Sequence, residues 1–98
     1  ADEECTYNRV VAECGTDHQL VVAIEEFSEC QKELTKTLRG IGNMEHLAEE
    51  IADCLISIEQ VMQIYSLHNV VRSEHFRKFK RLRECLENGT FLNNKKML

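Results

Sequence analysis

Two short acidic motifs hold the residues of this chain best placed to do chemistry: Glu25-Glu26-Phe27-Ser28-Glu29 and Glu49-Glu50-Ile51-Ala52-Asp53. Each reads Glu-Glu-x-x-acid and lies in a run with helical apolar periodicity. On a helix, Glu26 and Glu29 sit three residues apart, about 60° around the axis and about 4.5 Å along it. Glu50 and Asp53 repeat that geometry. Facing antiparallel helices would gather the four carboxylates into one pocket, where like charges raise one another's pKa. A divalent cation with oxygen ligands removes that cost, and Mg²⁺ is the hard cation that prefers carboxylate, water and phosphate oxygens. Mn²⁺ suits the same donors. Bridged by such a cation, an acidic site can bind a triphosphate, and the metal can polarise phosphorus and the attacking water.

The surrounding elements must bring the motifs together. Ninety-eight residues, 43% hydrophobic and 30% charged, suit one globular domain, with 1–89 as its helical body and 90–98 as a frayed or partner-docked tail. No proline, no tryptophan and only four glycines point to an all-α fold. A net charge of -5 argues against a binder of nucleic-acid polymers. No apolar run approaches a membrane span and the N-terminus shows no signal-peptide pattern, so a cytoplasmic protein without a membrane partner is expected. Five cysteines at wide, irregular spacing, with no Cys-x-x-Cys, read as buried free thiols.

Four helices are predicted: 2–14, ended by Gly15; 17–39, capped by Thr16 or Asp17; 44–65, capped by Asn43; and 74–87, after a loop over 66–73. Gly40-Ile41-Gly42 is the clearest break. The expected core rows are Leu20, Ala23, Ile24, Phe27, Cys30, Leu34 and Leu38 on the second helix and Leu47, Ile51, Cys54, Leu55, Ile58, Val61, Met62 and Tyr65 on the third. Phe76, Phe79, Leu82 and Leu86 are the expected core positions of the fourth. Glu26, Glu29 and Glu33 border the apolar row of the second helix, Glu33 reading as solvent-facing. Asp53 sits in an otherwise apolar segment, where an acid needs a partner or a metal. Lys78 and Arg81 on the basic last helix, and Lys36 and Arg39 beside the glycine break, are candidates to grip phosphate oxygens. Glu25 or Glu49 could assist the attacking water. The four histidines show no metal-ligand spacing; His46, one turn before Glu50, is the one nearest the motifs.

Glu26-x-x-Glu29, twenty residues, then Glu50-x-x-Asp53 resembles the signature of the MazG-like all-α nucleoside triphosphate pyrophosphohydrolases, specifically small single-domain members. Gln19 to Glu29, the run Leu47 to Gln60, and Lys78-x-x-Arg81 extend the resemblance over about residues 5–89. Cys14-Gly15 stands where the family commonly has Trp-Gly, a departure that bears on base recognition rather than on metal binding. The resemblance implies a four-helix MazG-like bundle completed by homo-oligomerisation, as a homodimer or homotetramer. It also implies Mg²⁺-dependent cleavage of a (deoxy)nucleoside triphosphate to the monophosphate and pyrophosphate, with Glu26, Glu29, Glu50 and Asp53 as metal ligands and nucleotide-pool sanitation as the purpose. Two other function classes stand beside it: a non-enzymatic helical interaction module with acidic faces, and a carboxylate di-iron bundle. The second is disfavoured because neither motif carries a Glu-x-x-His pair.

Overall fold

The computed structural model describes residues 2–89 and is all-helical there: α1 (Asp2–Cys14), α2 (Thr16–Leu38), α3 (Met44–Tyr65) and α4 (His68–Glu87). The tail expected at 90–98 lies outside the described residues. The chain divides into two compact units, the first ending at Ser66 and the second beginning at Leu67.

Within the first unit, the helix boundaries follow local chemistry. Asp2, Glu3 and Glu4 put negative charge in the first turn of α1, where the helix dipole favours it. Gly15, at φ 89°, is the whole of the break before α2. Its N–H closes onto the Val11 carbonyl at 2.8 Å. Thr16 and Asp17 therefore lie inside α2 rather than capping it, because the left-handed glycine turns the chain in one residue. The end of α2 is a Schellman closure: Ile41 N–H reaches Lys36 O at 3.1 Å and Gly40 N–H reaches Thr37 O at 3.0 Å, with Gly40 at φ 77°. Gly42 is fixed by a different constraint, since a Cβ there would lie 2.8 Å from the Thr37 Cα. Asn43 caps α3 as the sequence predicts, its Oδ1 accepting from the N–H groups of Glu45 (2.8 Å) and His46 (3.2 Å). Asn43→Ala is expected to cost about 1 kcal/mol in urea unfolding, the ordinary worth of an N-cap.

Helices α2 and α3 form an antiparallel hairpin whose register is set midway along both, where the Cys54 thiol donates to the Glu26 carbonyl at 3.4 Å. The seam is polar. Gln19, Ala23 and Glu33 are the buried residues of α2, and Ser57 and Gln60 those of α3. Small side chains at Ala23 and Ser57 let the two backbones approach.

Of the predicted core rows, Ala23 and Cys54 lie in the seam, but most of the large apolar side chains do not. Ile24 is 64% exposed, Leu38 89%, and Leu55 60%. At 3.6 residues per turn, the row Leu20, Ile24, Phe27, Leu34, Leu38 lies roughly a quarter-turn from the buried stripe of α2. The row Met44, Ile51, Leu55, Ile58, Met62, Tyr65 is displaced from the α3 stripe by roughly a third to a half of a turn. Because the helices are antiparallel, both rows fall on the same side of the hairpin. The opposite edge of α3 faces α1, where Tyr7 and Val10 line a crevice with Ile56 and Gln60, and Gln63 donates to Asn8 at 3.1 Å. The unit thus buries a polar seam and leaves an apolar face open.

In the second unit, α4 begins at His68, so the loop predicted over 66–73 shrinks to residues 66–67. Ser66, left-handed at φ 54°, ends α3, and Val71 N–H already closes onto Leu67 O at 2.8 Å. Asn69 and the β-branched Val70-Val71 lower helix propensity without preventing a helix. Cys85 is the buried residue of α4, whereas Phe76 (74% exposed), Phe79 and Leu86, predicted as core, are exposed.

Candidate metal centre

The seam positions the acidic motifs. Glu26 projects from the second turn-pair of α2, and Glu50 and Asp53 lie one turn apart on α3, opposite it. Ligand oxygens from Glu26, Glu50 and Asp53 all lie within 4.8 Å of one another. Glu26 and Glu50 are half-buried and Asp53 is exposed. The apolar stretch around Asp53 had suggested the reverse. Its apolar neighbours Ile51, Leu55 and Ile58 belong to the open face, so the segment is not an interior one.

The electrostatics are those of an uncompensated anion cluster. Burial, the Asp53 charge, a shared hydrogen bond with Asp53, and the charges of Glu50 and Glu29 all push the Glu26 carboxyl above its ordinary range. Burial and the charges of Asp53, Glu29, Glu33 and Glu49 do the same to Glu50. Glu50 Oε2 is buried and has no hydrogen-bond partner, a state that a native structure tolerates only for a reason. All donors are hard carboxylate oxygens, as Mg²⁺ or Mn²⁺ requires. The cluster fits such an ion: three carboxylates converge, and one oxygen among them is buried with nothing to bond.

Glu29 is exposed and stands beside the trio, close enough to act on both Glu26 and Glu50. Glu33, expected to face solvent, is 8% exposed and holds Lys36 at 3.3 Å. Its position is readable in retrospect. Seven residues after Glu26 is almost two full turns, so Glu33 returns to the seam. Lys36 is thereby committed to an ion pair at the edge of the site, while Arg39 is exposed at the C-cap of α2. Glu25 and Glu49 are exposed, each about 100° around its helix from the neighbouring cluster residue. Lys78 and Arg81 lie on α4, in the second unit. His46 is exposed, and no histidine joins the cluster among the described residues.

Next to the carboxylates lie two thiols. Cys30 and Cys54 are half-buried, Cys85 is buried, and Cys5 and Cys14 are exposed, so the expectation of uniformly buried thiols holds only for Cys85. Burial, the contact with Cys30, and the charges of Glu26 and Glu50 push the Cys54 thiol up to about 11.

The raised carboxyls make a pH prediction. Both titrate at about 4.5 in an ordinary setting and higher when folded, so the folded chain holds protons that the unfolded chain has released. Their contribution to stability is full below about 4.5 and is lost as pH rises through the folded values. In chelator, the wild-type melting temperature is expected to fall over that interval more steeply than that of Glu50→Gln. The exposed Glu74, lowered by its bond to Arg77, works in the opposite sense in both proteins and leaves their difference unchanged.

None of the described helices is long and apolar enough to cross a membrane. Comparison of the chain with protein-family models, with curated proteins and with solved structures gave no match.

Proposed function

We propose that this chain is a Mg²⁺-dependent nucleoside triphosphate pyrophosphohydrolase, Mn²⁺ serving as an alternative, that cleaves a (d)NTP to (d)NMP and pyrophosphate in nucleotide-pool sanitation. The observation that carries the reading is the convergence of Glu26, Glu50 and Asp53 from facing helices around the partnerless Glu50 Oε2. The doubled motif and its likeness to the MazG-like family supply the reaction class.

Glu26, Glu50 and Asp53 would hold the ion, with Glu29 in reach from the next turn of α2. When bound, a divalent cation neutralises phosphate oxygens and makes water a better nucleophile. The residues themselves place negative charge where only a cation-bridged triphosphate can approach, which selects against free anions. Glu33 holds Lys36 by an ion pair at 3.3 Å, with the Lys36 side chain 41% exposed and so within reach of a phosphate oxygen from solvent. Glu49 and Glu25, at the flanks, are the carboxylates available to take a proton from water.

The open apolar face supports the second part of the proposal, that the protein works as a homodimer or homotetramer. Burying about ten large apolar side chains at about 1.5–3 kcal/mol each is of the order of a whole domain's stability. A non-enzymatic helical interaction module is the second reading, favoured by the same face. A screen of ordinary and modified triphosphates for pyrophosphate release separates them. Metal-dependent release of pyrophosphate and monophosphate is expected. A folded, metal-binding protein that hydrolyses none of them would overturn the enzymatic reading.

A further inference from the structure

The seam also brings two sulfurs together. Cys54 Sγ lies 3.4 Å from the Glu26 carbonyl oxygen, the oxygen that α-helical pairing assigns to the Cys30 N–H. Side chains on a helix lean toward its N-terminus, so the Cys30 side chain covers the turn that begins at Glu26. That turn is where the Cys54 thiol rests, so the two side chains meet at the same turn of α2, and Cys30 is among the groups that act on the Cys54 thiol. The remaining cysteines differ in setting: Cys5 and Cys14 are exposed on α1, and Cys85 belongs to the second unit.

We infer that Cys30 and Cys54 are a redox-modification site, closing reversibly to an intramolecular disulfide that staples α2 to α3 beside the carboxylate cluster. The oxidant is a low-molecular-weight disulfide such as glutathione disulfide. Cys30, not held in the backbone hydrogen bond that engages Cys54, loses its proton and attacks one glutathione sulfur. The glutathione S–S bond breaks, and one glutathione leaves as thiolate. Cys54 then releases the Glu26 carbonyl, loses its proton, attacks the Cys30 sulfur and expels the second glutathione. Two cysteine thiols are oxidised, one glutathione disulfide is reduced, and the two protons end on the departing thiolates. An S–S bond of about 2.05 Å requires the two side chains to turn toward one another over the Glu26 carbonyl that Cys54 now engages. Thiol reductant reverses the sequence. A pair that cycles in this way is the form that disulfides usually take in a reducing compartment.

The inference does not rest on the hydrolase reading, and its test needs neither metal nor nucleotide. The folded full chain is equilibrated across glutathione buffers of increasing oxidation, free thiols are alkylated, and unreduced peptides are mapped by mass spectrometry. The expected result is a Cys30–Cys54 linked peptide in monomeric chain, reversed by dithiothreitol. In Cys30→Ser or Cys54→Ser the surviving cysteine should stop at a glutathione adduct or stay reduced. The inference is overturned if both thiols remain alkylatable at a poise that oxidises Cys5 and Cys14. It is equally overturned if either thiol pairs with a different cysteine, or if the link forms only in denaturant.

Discussion

Glu50→Gln is expected to abolish metal-induced stabilisation and to lower turnover by at least about 100-fold, while leaving the metal-free protein as stable as wild type or more so. The argument turns on sign. For most half-buried polar residues a substitution removes a favourable contact and destabilises. Glu50 has no such contact at Oε2, and the charges of Asp53, Glu29, Glu33 and Glu49 all act against its ionisation. A neutral amide of the same shape relieves that repulsion and can donate to Glu26 or Asp53. The cation then loses a hard anionic ligand, and ligand-linked stabilisation, which follows the ratio of ion concentration to dissociation constant, disappears with it. Thermal melting with Mn²⁺ and with chelator, run alongside a pyrophosphate-release assay, reads both effects. A Glu50→Gln protein that is destabilised without metal, and still stabilised by it, would assign Glu50 an ordinary structural role.

Leu55→Asp carries the second large effect. Leu55 is 60% exposed in the single chain. If the chain worked alone, an aspartate there would change stability by no more than about 0.5 kcal/mol. If a second copy covers the apolar face, the aspartate is buried without a partner, at a cost of several kcal/mol. The expected outcome is loss of the oligomer in light scattering and a melting temperature lowered by ten degrees or more. Glu25→Gln, exposed on α2 away from the apolar face, serves as a control for added or removed charge and should keep the assembly. A Leu55→Asp protein with wild-type mass and stability would leave the apolar face to some other purpose.

Much of the first unit was legible in the sequence because its signals are local. Asn43 caps α3, Gly40 closes α2, and Met44 to Tyr65 form one helix as predicted, each determined by a few neighbouring residues. The doubled acidic motif likewise predicts that Glu26, Glu29, Glu50 and Asp53 meet, since it depends only on helical spacing and an antiparallel hairpin; three of them do, and Glu29 stands exposed beside the trio. The facing of the helices was not legible. Periodicity identifies an apolar row but not which edge of it meets the next helix, and here the polar edge does. The same ambiguity misplaced Asp53, exposed despite its apolar neighbours, and Glu33, buried despite its charge. The start of α4 was missed for a smaller reason. Asn69-Val70-Val71 reads as a poor helix by composition, yet no proline or glycine interrupts it.

The most direct test of the account is anomalous diffraction from crystals soaked in Mn²⁺. It predicts one strong peak bonded to carboxylate oxygens of Glu26, Glu50 and Asp53, at about 2.1–2.2 Å for a hard divalent ion, and its absence in Glu50→Gln. Saturating Mn²⁺ with no peak between α2 and α3, and those three side chains unchanged, would contradict it.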